Sequence, residues 1–173
     1  MLFRSRDFCI LFDQRAGTEA VGYVDSDYAG DLDSRKSTTS YVFRFSSGPI
    51  CWKSTLQDVV ALSTTEAKYM SMTLVGKEVV WLSGQVNELV FKQDSMVLHC
   101  VSQSAIHLVK NQVYHARTKH IVVRYHKIRE WVSSCDISLM KILTSENASN
   151  MLTKLVLIDK FKHSLDLIGV CSM

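Results

Sequence analysis

The sequence predicts an α/β protein in which a mixed β-sheet is covered by helices, and three observations carry the prediction. Three short β-forming segments broken by turn residues come first, strands then alternate with segments of helical period, and 173 residues suffice for one hydrophobic core. Hydrophobic residues make up 47% and charged residues 21%, with one Pro and seven Gly, so neither a disordered chain nor a linker-rich one is expected.

The first strand is read at Val21 to Tyr28, rich in β-formers with weak alternation. Tyr41 to Phe45 and Ile50 to Lys53 give two more strands, split by Ser46-Ser47-Gly48-Pro49, and the three form an antiparallel meander. A long helix begins at Ser63, where Ser63-x-x-Glu66 makes a capping box ahead of Met70, Leu74, Trp81, Leu82 and Leu89, and runs to about Val90. Met96 to Val101 is a continuous apolar run, the mark of a strand buried on both faces, and Gln103 to Lys110 is a short helix after it. Arg124 to Val132 is helical, Ile137 to Leu143 alternates as a strand, and Ala148 to Leu167 is a terminal helix with Gly169 just past its end. The order is β-β-β-α-β-α-α-β-α, with no internal repeat.

Uncharged apolar stretches such as Val97 to Val101 fall far short of the roughly 20 residues that cross a bilayer, and acids close behind the basic N-terminus exclude a secretory signal. The protein is expected inside the cell, cytoplasmic or nuclear, as a monomer. Five cysteines without a C-x-x-C pair support neither a disulfide framework nor a zinc knuckle and read as reduced, mostly buried thiols. Trp52, Trp81 and Trp131 read as core or half-buried packing. The net charge of +3 is mild, but from His115 to Arg129 there are five Lys or Arg and no acid. That run suits contact with nucleic-acid phosphates through Arg117, Lys119 and Arg124, and equally suits a solvated basic helix face. His115, His120 and His126 lack the one-turn spacing of a helical metal pair and read as structural or surface residues.

Several ordered blocks are more specific than any single motif. Gly22-Tyr-Val-Asp-Ser-Asp-Tyr-Ala-Gly-Asp31, Arg35-Lys-Ser-Thr-Thr-Ser-Tyr-Val-Phe43 and Gly48-Pro-Ile-Cys-Trp-Lys-Ser54 are followed by Ala61-Leu-Ser-Thr-Thr-Glu-Ala-Lys-Tyr-Met70 and Gln103-Ser-Ala-Ile106. His115-Ala-Arg-Thr-Lys-His-Ile121, Arg124-Tyr-His126 and Met151-Leu-Thr-Lys154 complete the series. In content and order these blocks resemble the ribonuclease H domain of copia-type retrotransposon Pol polyproteins, which follows the reverse transcriptase. The resemblance covers nearly the whole chain, from about Phe3 to Val170. It implies a ribonuclease H-like fold: a five-stranded mixed sheet, three antiparallel meander strands then two parallel strands, flanked by helices. It also implies that residues 1–18 are a remnant of the connection from the reverse transcriptase and 19–173 the ribonuclease H-like domain.

The implied activity is hydrolysis of the RNA strand of RNA:DNA hybrids during reverse transcription. That chemistry uses two divalent metals about 3.5 to 4 Å apart, and magnesium is held by carboxylates together with substrate phosphate. The family supplies four acids, which map to Asp25, Lys68, Val101 and Asn150. Asp25 is retained and is the one vestigial metal ligand. Where the family reads Glu-Ala-Glu-Tyr-Met, this chain has Lys68 at the second glutamate; Glu66, about 200° away around the helix, points elsewhere and caps. Cys100-Val-Ser-Gln-Ser-Ala105 puts Val101 at the third acid, and Ser149-Asn-Met-Leu-Thr-Lys154 puts Asn150 at the fourth. A formal charge of minus four becomes zero, since Lys68 cancels Asp25. The family's Mg2+ is therefore not expected to bind, and the expectation is a catalytically degenerate ribonuclease H with weak affinity for RNA:DNA hybrid or duplex. A non-catalytic nucleic-acid-binding or protein-interaction module and an active two-metal ribonuclease H are the alternatives. Asp27, Asp31 and Asp33 read as loop acids.

Overall fold

The computed structural model describes residues 8–10, 12, 17, 19–89, 94–111 and 126–172. After β1 (Phe8–Ile10) come β2 (Ala20–Ser26), β3 (Thr38–Phe45) and β4 (Gly48–Leu56), then the 25-residue helix α1 (Thr64–Glu88). β5 (Met96–Cys100), α2 (Gln103–Lys110), α3 (Lys127–Ser133) and β6 (Ile137–Lys141) follow, and α4 (Ile158–Leu167) and β7 (Val170–Ser172) close the order. Five strands form one sheet in the spatial order β4-β3-β2-β5-β6. β2, β3 and β4 pair antiparallel as the expected meander, and β5 pairs parallel to both β2 and β6.

Alternation along the strands divides the sheet into two packed faces. Val24, Tyr41, Phe43, Leu98 and Cys100 join Ala67, Met72, Val75 and Val79 of α1, with α2 and α3 at the flank. On the opposite face Tyr23 and Val42 pack under Ala148 and Ile168. β5 therefore alternates buried with half-buried residues. α1 starts at the expected N-cap: Ser63 Oγ accepts from Glu66 N–H at 3.1 Å, while Glu66 Oε2 accepts at 2.9 Å from Leu62 N–H, one residue before the Ser63 amide that a strict capping box uses.

The structure departs from the periodicity in several places. The terminal helix expected over Ala148 to Leu167 is broken: a 3-10 turn spans Ala148–Leu152, an irregular link follows, and α4 begins only at Ile158. Side chains of the sheet take the carbonyls that a helix would have used. Ser40 Oγ donates to Ser149 O at 2.8 Å and Ser54 Oγ donates to Leu152 O at 2.8 Å. Gly48 and Pro49 belong to β4 rather than to the preceding turn, and Pro is tolerated because β4 is an edge strand.

β1 and β7, three residues each, form a second small antiparallel sheet with Cys9 opposite Cys171. No local pattern announces a pairing between such distant short segments. Of the free thiols Cys100 alone is buried, while Cys135 and Cys171 are exposed, so mostly buried cysteines is corrected. Trp131 packs at the core edge against Gly76, where an added Cβ would lie 2.7 Å from its ring. Trp52 and Trp81, by contrast, are 56% and 58% exposed, because one lies on the edge strand and the other on the outer face of α1. No helix among the described residues is long and apolar enough to cross a membrane.

Gly169 turns the chain from α4 into β7 at φ +74°, and a Cβ there would fall 1.8 Å from Ser47 O. Gly169→Ala is expected to destabilise the protein by about 2 kcal/mol or more, through both the left-handed backbone and the clash. Chemical denaturation measures it; a variant as stable as the parent would mean that the β1–β7 ribbon contributes nothing to the cooperative fold.

Candidate active site

The parallel register of β2 and β5 pairs Val24 with Cys100, so Asp25 and Val101 leave adjacent strands at the same end of the sheet. α1 crosses behind that end and brings Lys68 onto Asp25. Lys68 Nζ donates to Asp25 Oδ1 and, at 3.1 Å, to Ser26 O. The Asp25 side chain is 3% exposed and that of Lys68 17%, so a buried carboxylate is neutralised by an ammonium that still touches solvent. An unpaired ion at that depth would cost several kcal/mol, which the pairing offsets.

Asn150 approaches from the other face, carried by the 3-10 turn. Asn147 Nδ2 donates to Val24 O at 3.0 Å and its Oδ1 accepts from Ser149 N–H at 3.2 Å, which fixes the turn against β2. Asn150 is 8% exposed, its Nδ2 donates to Thr144 O at 2.6 Å, and its Oδ1 has no hydrogen-bond partner. Thr153 links it to the carboxylate: Thr153 Oγ1 lies 3.1 Å from Asn150 O and 3.4 Å from Asp25 Oδ2. Asp25 and Lys68 are thus in direct contact, Asn150 is joined through Thr153, and Val101 is placed by strand register.

Thr153 and Cys100 are additions to the residues singled out from sequence. Burial pushes the Cys100 thiol up in pKa, while Lys68 opposes the shift and Asp25 adds to it, so the sulfur lies in the field of both charges. Thr153 stood inside the quoted Met151-Leu-Thr-Lys154 block, but only the fold shows its hydroxyl reaching Asp25.

The loop acids take local bonds. Asp27 Oδ1 accepts from Thr38 N–H at 2.5 Å, and Ser34 donates to Asp31 through hydroxyl and amide, which holds the Asp31 carboxyl below its usual pKa. Arg117, Lys119 and Arg124, with His115 and His120, lie outside the described residues. At the end of the same basic run, Lys127 pairs with Glu130, and Arg129 donates to Leu108 O at 3.1 Å while sitting 5.7 Å over the Tyr69 ring. His126 Nδ1 lies 3.1 Å from Tyr69 Oη, and burial with Arg129 nearby lowers its pKa.

With this geometry in view, the comparisons give the chain its class. The fold is that of a ribonuclease H. The N-terminal RNase H domain of a Mycobacterium tuberculosis protein superposes with a TM-score of 0.56 at 12% identity, covering 86% of this chain and 96% of that one. RNase H1 from the archaeon Halobacterium salinarum gives 0.52 at 14% identity, covering 78% and 93%.

The sequence relatives are more particular. The chain is 54% identical over 166 residues to the retrovirus-related Pol polyprotein from transposon TNT 1-94 of Nicotiana tabacum, which is 95% of this chain and 12% of that protein. It is 34% identical over 162 residues to the Pol polyprotein from transposon RE1 of Arabidopsis thaliana, 92% of this chain and 11% of that protein. No family model matches. The chain is a ribonuclease H-like domain homologous to the Pol polyproteins of retrotransposons, and it spans about an eighth of the first of them.

The magnesium ions that such a fold implies do not fit the residues present. Magnesium is held by anionic oxygens, and here the one carboxylate carries an ammonium, its neighbour Val101 offers hydrocarbon and Asn150 offers a neutral amide. Among the described residues no group of three or more His, Cys, Asp or Glu side chains is arranged to hold a metal ion.

Lys68→Met is expected to cost about 3 kcal/mol, since it leaves the Asp25 carboxylate buried and unpaired, and Asp25→Asn in the same chain should recover most of the loss. A double-mutant cycle from denaturation curves reads the coupling. A cycle that closes to zero would show that the two charges do not stabilise each other.

Proposed function

We propose that this chain is the ribonuclease H-like domain of a copia-type retrotransposon polyprotein in a form that no longer hydrolyses RNA:DNA hybrids and keeps weak affinity for hybrid or duplex. The observation that carries the proposal is the Lys68 ammonium bonded to Asp25. A unit charge about 4 Å from another at an effective dielectric near 20 contributes roughly 4 kcal/mol, and a dication doubles that. Lys68 repels by this amount the ion that a carboxylate there would attract. The same assignment makes residues 1–18 the connection from an upstream reverse transcriptase and 19–173 the nuclease-like domain, with β1 inside the former reaching across to β7.

The chain as it stands is expected to show no magnesium-dependent cleavage of RNA:DNA hybrid above background. Lys68→Glu, Val101→Asp or Asn150→Asp alone should also fail, because each leaves an incomplete two-metal cage and groups that act as a unit are strongly non-additive. The triple variant should cut with magnesium or manganese, and its melting temperature should rise with added metal, because a ligand of the folded state stabilises it. Cleavage by the unmodified chain, abolished in Asp25→Asn, would overturn the proposal.

Binding rests on Arg117, Lys119 and Arg124. With three or four phosphate contacts, the affinity for duplex should fall with salt at a log-log slope of about −3. Changing the three residues to Gln should flatten that slope. Affinity that ignores salt, or none at roughly 50 mM salt where such contacts are strong, removes this part of the proposal.

A further inference from the structure

Cys9 and Cys171 come from opposite ends of the sequence, each in the middle of a three-residue strand, and the β1–β7 register sets them directly opposite each other. Residues so placed in an antiparallel ladder point to the same face of the ribbon, with Cα atoms about 4.5 or 5.5 Å apart. A disulfide needs a Cα separation of roughly 4.4 to 6.8 Å, so the backbone already holds the pair at bonding range. Both thiols are free, Cys9 half-buried and Cys171 exposed, and a small oxidant reaches them without unfolding of the core. Of the other cysteines, Cys100 is buried, Cys51 packs toward the α1 side of the sheet and Cys135 lies between α3 and β6. Neither strand of the ribbon carries a competing thiol.

The ribbon is also an element that a covalent bond would change. A two-stranded pairing is marginally stable by itself. Phe8, Ile10 and Val170 form one wall of an apolar cavity of about 440 Å3 whose other side includes Trp52 and Phe161, so fewer packing contacts hold the ribbon than a filled core would supply. An element of that kind opens locally at little cost, and a cross-link between its strands removes the opening. We propose that Cys9 and Cys171 are a thiol–disulfide exchange site, oxidised by a small-molecule disulfide of the glutathione class, whose bond locks the β1–β7 ribbon. The Cys171 thiolate attacks one sulfur of the oxidant, the oxidant's S–S bond breaks, and one glutathione leaves as a thiolate that takes up a proton. The Cys9 thiolate then displaces the second glutathione from the Cys171 sulfur. The two cysteines lose two electrons and two protons, and the oxidant ends as two glutathione thiols. An exposed disulfide is labile, and excess reduced glutathione reverses the step. The site uses none of Asp25, Lys68, Asn150 or the basic run, so its failure would leave the proposed function untouched.

The test is incubation of the whole chain with glutathione disulfide, followed by alkylation of the remaining thiols and peptide mass spectrometry. A peptide cross-linked through Cys9 and Cys171 should dominate, and it should disappear when reduced glutathione is added in excess. Hydrogen exchange of the amides of residues 8–10 and 170–172 should slow several-fold in the oxidised chain. Cys9→Ser, at a half-buried position that tolerates the smaller hydroxyl, should stop at the mixed disulfide, with one glutathione retained on Cys171 and ribbon exchange as fast as in the reduced parent. A dominant bond between other cysteines or between two chains, a parent chain that retains glutathione on Cys171 as the variant does, or ribbon exchange unchanged by oxidation would each overturn the inference.

Discussion

The parallel pairing of β2 with β5 at the centre of the sheet is the constraint on which the molecule's organisation depends. It sets Val24 opposite Cys100 and so delivers Asp25 and Val101 to one end of the sheet. Both strands are covered on one face by α1 and flanked by the 3-10 turn on the other, so that end is the place where four chain segments meet. A cluster of carboxylates there would be buried among like charges and would need cations to persist. In this chain the cation is covalent: Lys68 reaches Asp25 from the fifth residue of α1.

An ammonium at that place changes what the site demands of its surroundings. A four-acid cage in the metal-free state is repulsive, and its stability is linked to the concentration of metal. A Lys–Asp pair is neutral and complete within the protein, with Ser26 O and Thr153 taking further bonds to the two groups. Under the proposed reading, stability and catalysis diverge at these positions. The arrangement that folds independently of metal is the one that opposes metal, an instance of the general trade between a settled site and a reactive one.

Much of the fold was legible because its strongest signals are local. The Ser63 cap, the apolar run of β5 and the turn residues between the meander strands each depend on neighbours in sequence, and α1, β5 and the meander appear there, although Gly48 and Pro49 join β4 and one face of β5 is only half-buried. The misread segments answer to distant partners. Ala148 to Leu167 has helical spacing, but Ser40 and Ser54 of the sheet capture two of its carbonyls, and the helix yields to tertiary bonds. The ribbon of Phe8–Ile10 with Val170–Ser172 joins the two ends of the described chain and leaves no periodic trace. At the candidate site, Asp25, Lys68, Val101 and Asn150 were singled out by the order of motif blocks. The contact between Asp25 and Lys68, and the reach of Thr153, are facts of packing that no block order contains.

Asn150 shows what an amide does at this place in the fold that a carboxylate would not. An amide and a carboxylate have nearly the same shape, yet the amide donates, and here it donates to Thr144 O at 2.6 Å. A carboxylate in that position would set an acceptor against an acceptor, losing the bond and adding repulsion, at a cost of about 1 to 3 kcal/mol. The amide thus ties the 3-10 turn to the residues that precede it without any ion. Its remaining oxygen is buried without a partner, so the bond gained on one side of the amide is set against an unsatisfied acceptor on the other.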